Sequence, residues 1–140
     1  MIQATANPIT QQRAKTARPT ICHVIHALGV GGAEMLVDVM VRRLSEQYRC
    51  VVAVLDEVGE LGEKLRADGF VVKHLHRQPG IDRGCAKRLD AFARREGAKV
   101  LHAHQYTPFF QAMLSRGLLG RQPVLLTEHG RHFPDLPSRK

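Results

Sequence analysis

Short β-branched and apolar runs alternate along this chain with stretches whose apolar positions recur at helical spacing. The first run, Ile21 to His26, reads as a buried strand. Ala33 to Gln47 follows as an amphipathic helix: Ala33, Leu36, Val37, Met40, Val41 and Leu44 share one face, and Glu34, Asp38 and Arg42 line the other. Arg49 to Leu55 is a second strand, Glu60 to Asp68 a short helix stopped by Gly69, and Phe70 to Leu75 a third strand. Asp82 caps a helix running to Glu96, with Cys85, Leu89, Phe92 and Ala93 inward and Gly97 as its stop. Lys99 to His104 is a fourth strand. Thr107, as capping hydroxyl, and Pro108 start a helix that carries Phe110, Met113 and Leu114 inward and ends near Gly117. Pro123 to Thr127 is a fifth strand.

Strands that alternate with helices predict an α/β fold, a Rossmann-like parallel sheet of about five strands with helices on both faces. Right-handed crossovers leave 3-2-1-4-5 as the expected order. Ligands of such sheets bind beyond the carboxyl ends of the strands, at the point where the order switches. The loops that meet there hold Gly29 to Gly32, His104 to Thr107, and Glu128 to His132.

Composition narrows the classes. Residues 1–20 hold three bases, no acid and no apolar stretch of the kind a secretory signal needs, and read as a disordered basic arm. Residues 21–136 form the domain and 137–140 a tail. No apolar run approaches the ~20 residues that span a bilayer. Cys22, Cys50 and Cys85 are too widely spaced for a zinc ribbon or a redox pair and suit buried thiols in a reducing compartment. The net charge of +8 favours anionic partners. Scattered bases and an aromatic content of 5%, too sparse for a stacking platform, argue against specific nucleic-acid binding.

The first loop opens a helix, whose amino end attracts anions, and Gly29, Gly31 and Gly32 would let a phosphate approach its backbone. The same glycines also fit a plain tight turn. Glu34 stands where a dinucleotide fingerprint would have its third glycine, and as a first-turn acid it is expected to point away from the loop. Asp56 is placed to mimic a ribose-binding acid. His102 and His104 fall on one side of the sheet. No carboxylate or thiol cluster accompanies them, so no metal site is expected: His102 is read as buried, His104 as lying at the strand mouth, and His23 as packed. The segment "LLTEHGRHFPD", Leu125 to Asp135, runs a strand straight into Glu128, His129, Gly130, Arg131 and His132. His129 can donate to a sugar hydroxyl or steady a developing charge, and Arg131 can hold an anion. A polar surface loop is the other reading. Gly59 to Lys64 has the wrong spacing for a phosphate-binding Walker loop.

Four stretches, "ICHVIHALGVGGAE", "LGEKLRADGF", "KVLHAHQYTPFFQAML" and "LLTEHGRHFPD", in this order and spacing, resemble the N-terminal domain of glycosyltransferase family 4. The resemblance covers about Ile21 to Asp135. It implies the N-terminal, acceptor-side half of a GT-B fold and retaining, hexosyltransferase-like transfer from a nucleotide-diphosphate sugar to a sugar or lipid-linked acceptor, without metal or other cofactor. The setting it implies is cell-surface polysaccharide or glycolipid synthesis, in the cytoplasm and at the inner face of an anionic membrane. By resemblance Gly31 and Gly32 reach the donor phosphates, His129 is the catalytic histidine beside the transferred sugar, and His104, Tyr106 and Arg131 contact the acceptor. The family's basic diphosphate grip and its glutamate pair belong to a C-terminal domain outside this sequence; Glu60 and Asp68 match the pair's spacing only on a short surface helix. The domain is thus expected to be truncated, whether as a fragment, a shortened reading frame or one half of a split enzyme, and inactive alone. A non-catalytic Rossmann-like binding domain is the alternative.

Overall fold

The computed structural model describes residues 18–117, 120 and 122–130. Nine elements alternate: β1 (Thr20–Ala27), α1 (Gly32–Leu44), β2 (Arg49–Glu57), α2 (Gly59–Ala67), β3 (Val71–His74), α3 (Arg83–Arg95), β4 (Ala98–His104), α4 (Tyr106–Arg116) and β5 (Val124–Thr127). All strand pairs are parallel and the order is β3-β2-β1-β4-β5, as the alternation of elements predicted.

Side chains alternate across the sheet and build two cores. Cys22, Val24, Val51, Ala53, Leu55, Leu101 and Ala103 pack with Cys85, Leu89, Phe92 and Ala93 of α3 and Ala112 of α4. On the other face Ile25, Val52, Val54 and Val72 pack with Val37 and Val41 of α1 and Leu65 of α2. Each buried Val, Leu, Ile or Phe among them contributes roughly 1.5–3 kcal/mol of transfer free energy. The Asp82 cap forms as expected, its carboxylate accepting from Cys85 N at 2.9 Å. Cys22, Cys50 and Cys85 are free and buried, and burial pushes the Cys22 thiol up to about 12.

Three expectations need correction. The fold takes in the end of the stretch read as an arm: Arg18 donates to Ser45 O at 2.9 Å, Pro19 O accepts from Arg49 N at 3.0 Å, and Thr20 begins β1. Residues 1–17 and the tail at 137–140 lie outside the described residues. On α1 only Val37 and Val41 are buried, while Leu36 is exposed with Met35 and Val39, because the helix presses a narrow stripe on the sheet. Helix α4 starts at Tyr106 behind Gln105, so Thr107 lies within the first turn and caps nothing. Its buried side is Pro108, Gln111 and Ala112, and Phe110 and Met113 are exposed. An earlier start turns the whole helix about its axis, and Phe109 reaches the core instead. Among the described residues no helix is long and apolar enough to cross a membrane.

Candidate active site

The glycine loop joins β1 to α1. Leu28 is its fixed end: its N–H donates to Glu57 O at 3.1 Å, and its carbonyl accepts from Leu61 N at 3.0 Å and Gly62 N at 3.4 Å. Gly59 makes that contact sterically available. It has φ +65, and a Cβ there would strike the Leu28 carbonyl. The segment Gly59 to Lys64 thus holds the loop in place. The three loop glycines differ from Gly59. None has a positive φ, and a Cβ at Gly29 or Gly32 would meet nothing within 4 Å. The backbone turn therefore does not require glycine at either position, and the space above them is open. Gly31 caps α1 in an extended conformation with no side-chain cap bond, so the first amides of the helix lack an internal acceptor. Glu34 does not point away as expected: its carboxylate folds back over Gly31, where a side chain would otherwise stand. The positive end of the helix draws it there.

The second part of the site is a histidine chain. His23 and His102 are register partners on β1 and β4, and His104 is two residues further along. All three point to the α1–α2 face, because their neighbours Cys22, Val24, Leu101 and Ala103 fill the opposite core. His23 Nδ1 lies 3.1 Å from His104 Nε2, and His104 Nδ1 lies 2.9 Å from His129 Nε2. His102 Nε2 meets Thr127 Oγ1 at 2.7 Å, and its ring lies over His104 with centroids 4.3 Å apart. His23 and His104 are fully buried. Desolvation lowers their pKa values to about 3 and about 2, with neighbouring imidazoles adding to the shift, so both rings are neutral near pH 7. His102 is lowered by the same cause. His23 and His102 are packed and buried as expected. His104 is not at an open mouth: β1 and β5 flank it, its ring is fully buried, and it lies behind His129. Three of these rings offer nitrogens within 4.8 Å of one another.

His129 is half-buried just past β5, and Gly130, at φ +77, turns the chain directly after it. Tyr106 is exposed, as an acceptor contact would need, and its hydroxyl donates to Glu128 at 3.1 Å. Gln105, between His104 and Tyr106, holds φ 76 and ψ 174, a region non-glycine residues rarely occupy. Its N–H donates to Thr127 O at 2.9 Å, which ties the fourth loop to the fifth strand. Arg131 lies outside the described residues.

Asp56 is not open to a ribose. Arg77 donates to both of its oxygens at 2.9 and 3.0 Å, and His26 Nδ1 lies 2.6 Å from Oδ2. His74 Nε2 donates to the Asp56 carbonyl at 2.7 Å. Sequence reading missed this cluster at the ends of β1, β2 and β3. The signal was there, since the expected strand order sets His26, Asp56 and the residues after His74 side by side.

Because all five strands are parallel, the glycine loop, His104, Tyr106 and His129 share the carboxyl edge of the sheet. Residues 30–140 match the family model described as Glycosyltransferase Family 4. No curated protein matches the chain. Among solved structures, a glycosyltransferase from Rickettsia africae ESF-5 has the same fold, with a TM-score of 0.63 at 16% sequence identity. The match covers 85% of this chain and 32% of that one, so this chain spans about a third of that protein's length.

Proposed function

The chain belongs to glycosyltransferase family 4, and from that premise we propose that it supplies the acceptor-side domain of a retaining transferase that moves a sugar from a nucleotide-diphosphate donor. Gly31 and Gly32 present the amide end of α1 to the donor phosphates. His129 donates a hydrogen bond beside the transferred sugar. Tyr106 lines the acceptor path, with Arg131 beyond the described residues, and His104 serves from behind through His129. The remaining donor contacts come from a second Rossmann-like domain outside this sequence, and no metal or other cofactor takes part. The net charge of +8 favours a phosphorylated or lipid-borne acceptor at the inner face of the membrane, as in polysaccharide or glycolipid synthesis.

The observation that carries this is the glycine loop. At Gly29 and Gly32 glycine is not needed for the fold of the turn, and both leave unfilled space beside helix amides that no side chain caps. A thermal-shift series with nucleoside diphosphates tests it. At a hundredfold excess over Kd, binding adds about 2.7 kcal/mol, a rise in melting temperature of roughly 8 °C for a domain of this size. A Cβ at Gly32 meets nothing within 4 Å, so Gly32→Val should fold normally and lose the shift. No shift in the parent, or an equal one in Gly32→Val, rejects the proposal. The Glu34 carboxylate over Gly31 favours the second reading, a binding domain that keeps the fold without the donor, and absence of any shift is its outcome.

A further inference from the structure

The buried histidines do more than fill the core. His104 has both ring nitrogens engaged, one with His23 and one with His129. A neutral imidazole so placed must donate with one nitrogen and accept with the other. We propose that His104 is a positioning residue that fixes the proton of His129: His104 Nδ1–H donates to His129 Nε2, so His129 carries its own proton on Nδ1 and offers its substrate a donor.

A chain of neutral rings can run in only two directions. In one, every ring donates from Nδ1 and the chain ends on a bare His23 Nε2. In the other, every ring donates from Nε2 and an N–H is stranded at that same atom. His23 Nε2 is buried and has no hydrogen-bond partner among the described residues. Stranded N–H groups are rarer in folded proteins than unmatched acceptors, so the blind end selects the first direction. His23 Nδ1–H then donates to His104 Nε2, and the polarity passes outward to His129. His102 does not oppose it, because its partner is the Thr127 hydroxyl, which serves as donor or acceptor alike.

A divalent cation among the same rings is the competing assignment. Either nitrogen it took from His104 already bonds a neighbouring ring, and among the described residues no carboxylate groups with His23, His102 and His104 to balance its charge. The hydrogen-bonded chain accounts for the short contacts without that cost.

The consequence for sugar transfer rests on the function proposed above, but the proton's position does not. It is read from a long-range proton–nitrogen correlation spectrum of the imidazole rings in the ¹⁵N-labelled chain near pH 7, without ligand. The expected result is His129 with Nδ1 protonated and Nε2 bare, in roughly tenfold excess over the other form. A protonated His129 Nε2 overturns the proposal. In His104→Leu the Nδ1–H form should lose its excess and the Nε2–H form become the larger. In His104→Asn, whose amide stands where Nδ1 stood, the Nδ1–H form should return. If His104→Leu does not fold, the parent spectrum and His104→Asn decide. An unchanged His129 in a folded His104→Leu overturns the proposal. So does one equivalent of Zn²⁺ binding to His23, His102 and His104, which would make them ligands. A chain that shows the expected tautomers but binds no nucleoside diphosphate loses the transferase proposal alone.

Discussion

Acidification should unfold this protein through its buried histidines, by an amount the structure sets. His23 and His104 have ordinary values of 6.5, and burial lowers them to about 3 and about 2. In the unfolded chain both rings take up protons below pH 6.5, while in the folded chain they stay neutral until far lower. The unfolded state therefore binds more protons throughout that window, and stability falls as pH falls. Each ring contributes a loss of about 1.4 kcal/mol per pH unit, so from pH 6.5 to 4.5 the pair removes roughly 5 kcal/mol. A loss of that size is comparable with the whole stability of many domains. His102 adds in the same direction. Asp82, held low by the amides of Gln78 and Cys85, weakens only below its ordinary 3.8, outside this range. Urea unfolding followed by circular dichroism at half-unit pH steps measures the slope. Parent protein should lose about 3 kcal/mol per unit or more, and His104→Asn distinctly less. A flat free energy between pH 6.5 and 4.5, or the same slope in the variant, would refute neutral burial of these rings.

Other outcomes follow from single contacts. Glu34→Gln removes a negative charge from Gly31 and should tighten nucleoside diphosphate binding roughly two- to tenfold by calorimetric titration; weaker or unaltered binding would mean that the carboxylate does not compete. Gln105→Gly relieves φ 76 and should raise the urea midpoint by an amount equivalent to about 1 kcal/mol, whereas a lower midpoint would show no strain there. Cys22, raised to about 12, and its buried companions Cys50 and Cys85 should react with a thiol reagent only on unfolding, and rapid labelling of the native chain would contradict their burial.

The strands and their order were legible because each strand is a compact apolar run and the short connections between alternating elements admit few topologies. The Asp82 cap was legible because its signal is local. What failed depends on neighbours that no local pattern specifies. Phe110 and Met113 have helical spacing, yet Gln105 sets where α4 begins and thereby which side faces the sheet. Parity put His102 and His104 together, but His23 joins them only through the β1–β4 register, and His104 is sealed only because β5 lies beyond it. Glu34, expected outward as a first-turn acid, instead folds over Gly31 in the field of its helix end. Asp56 found Arg77 across β3, a partner 21 residues away.

The bonds that fasten Leu28 to Glu57, Leu61 and Gly62 bear on how an anion would be received. A segment nailed at its upstream end, and continuous with a helix at the other, has little conformational freedom left to surrender. Arrival of a ligand should then leave amide hydrogen exchange around Leu28 nearly unaltered, and the cradle behaves as a rigid mould rather than a closing hand.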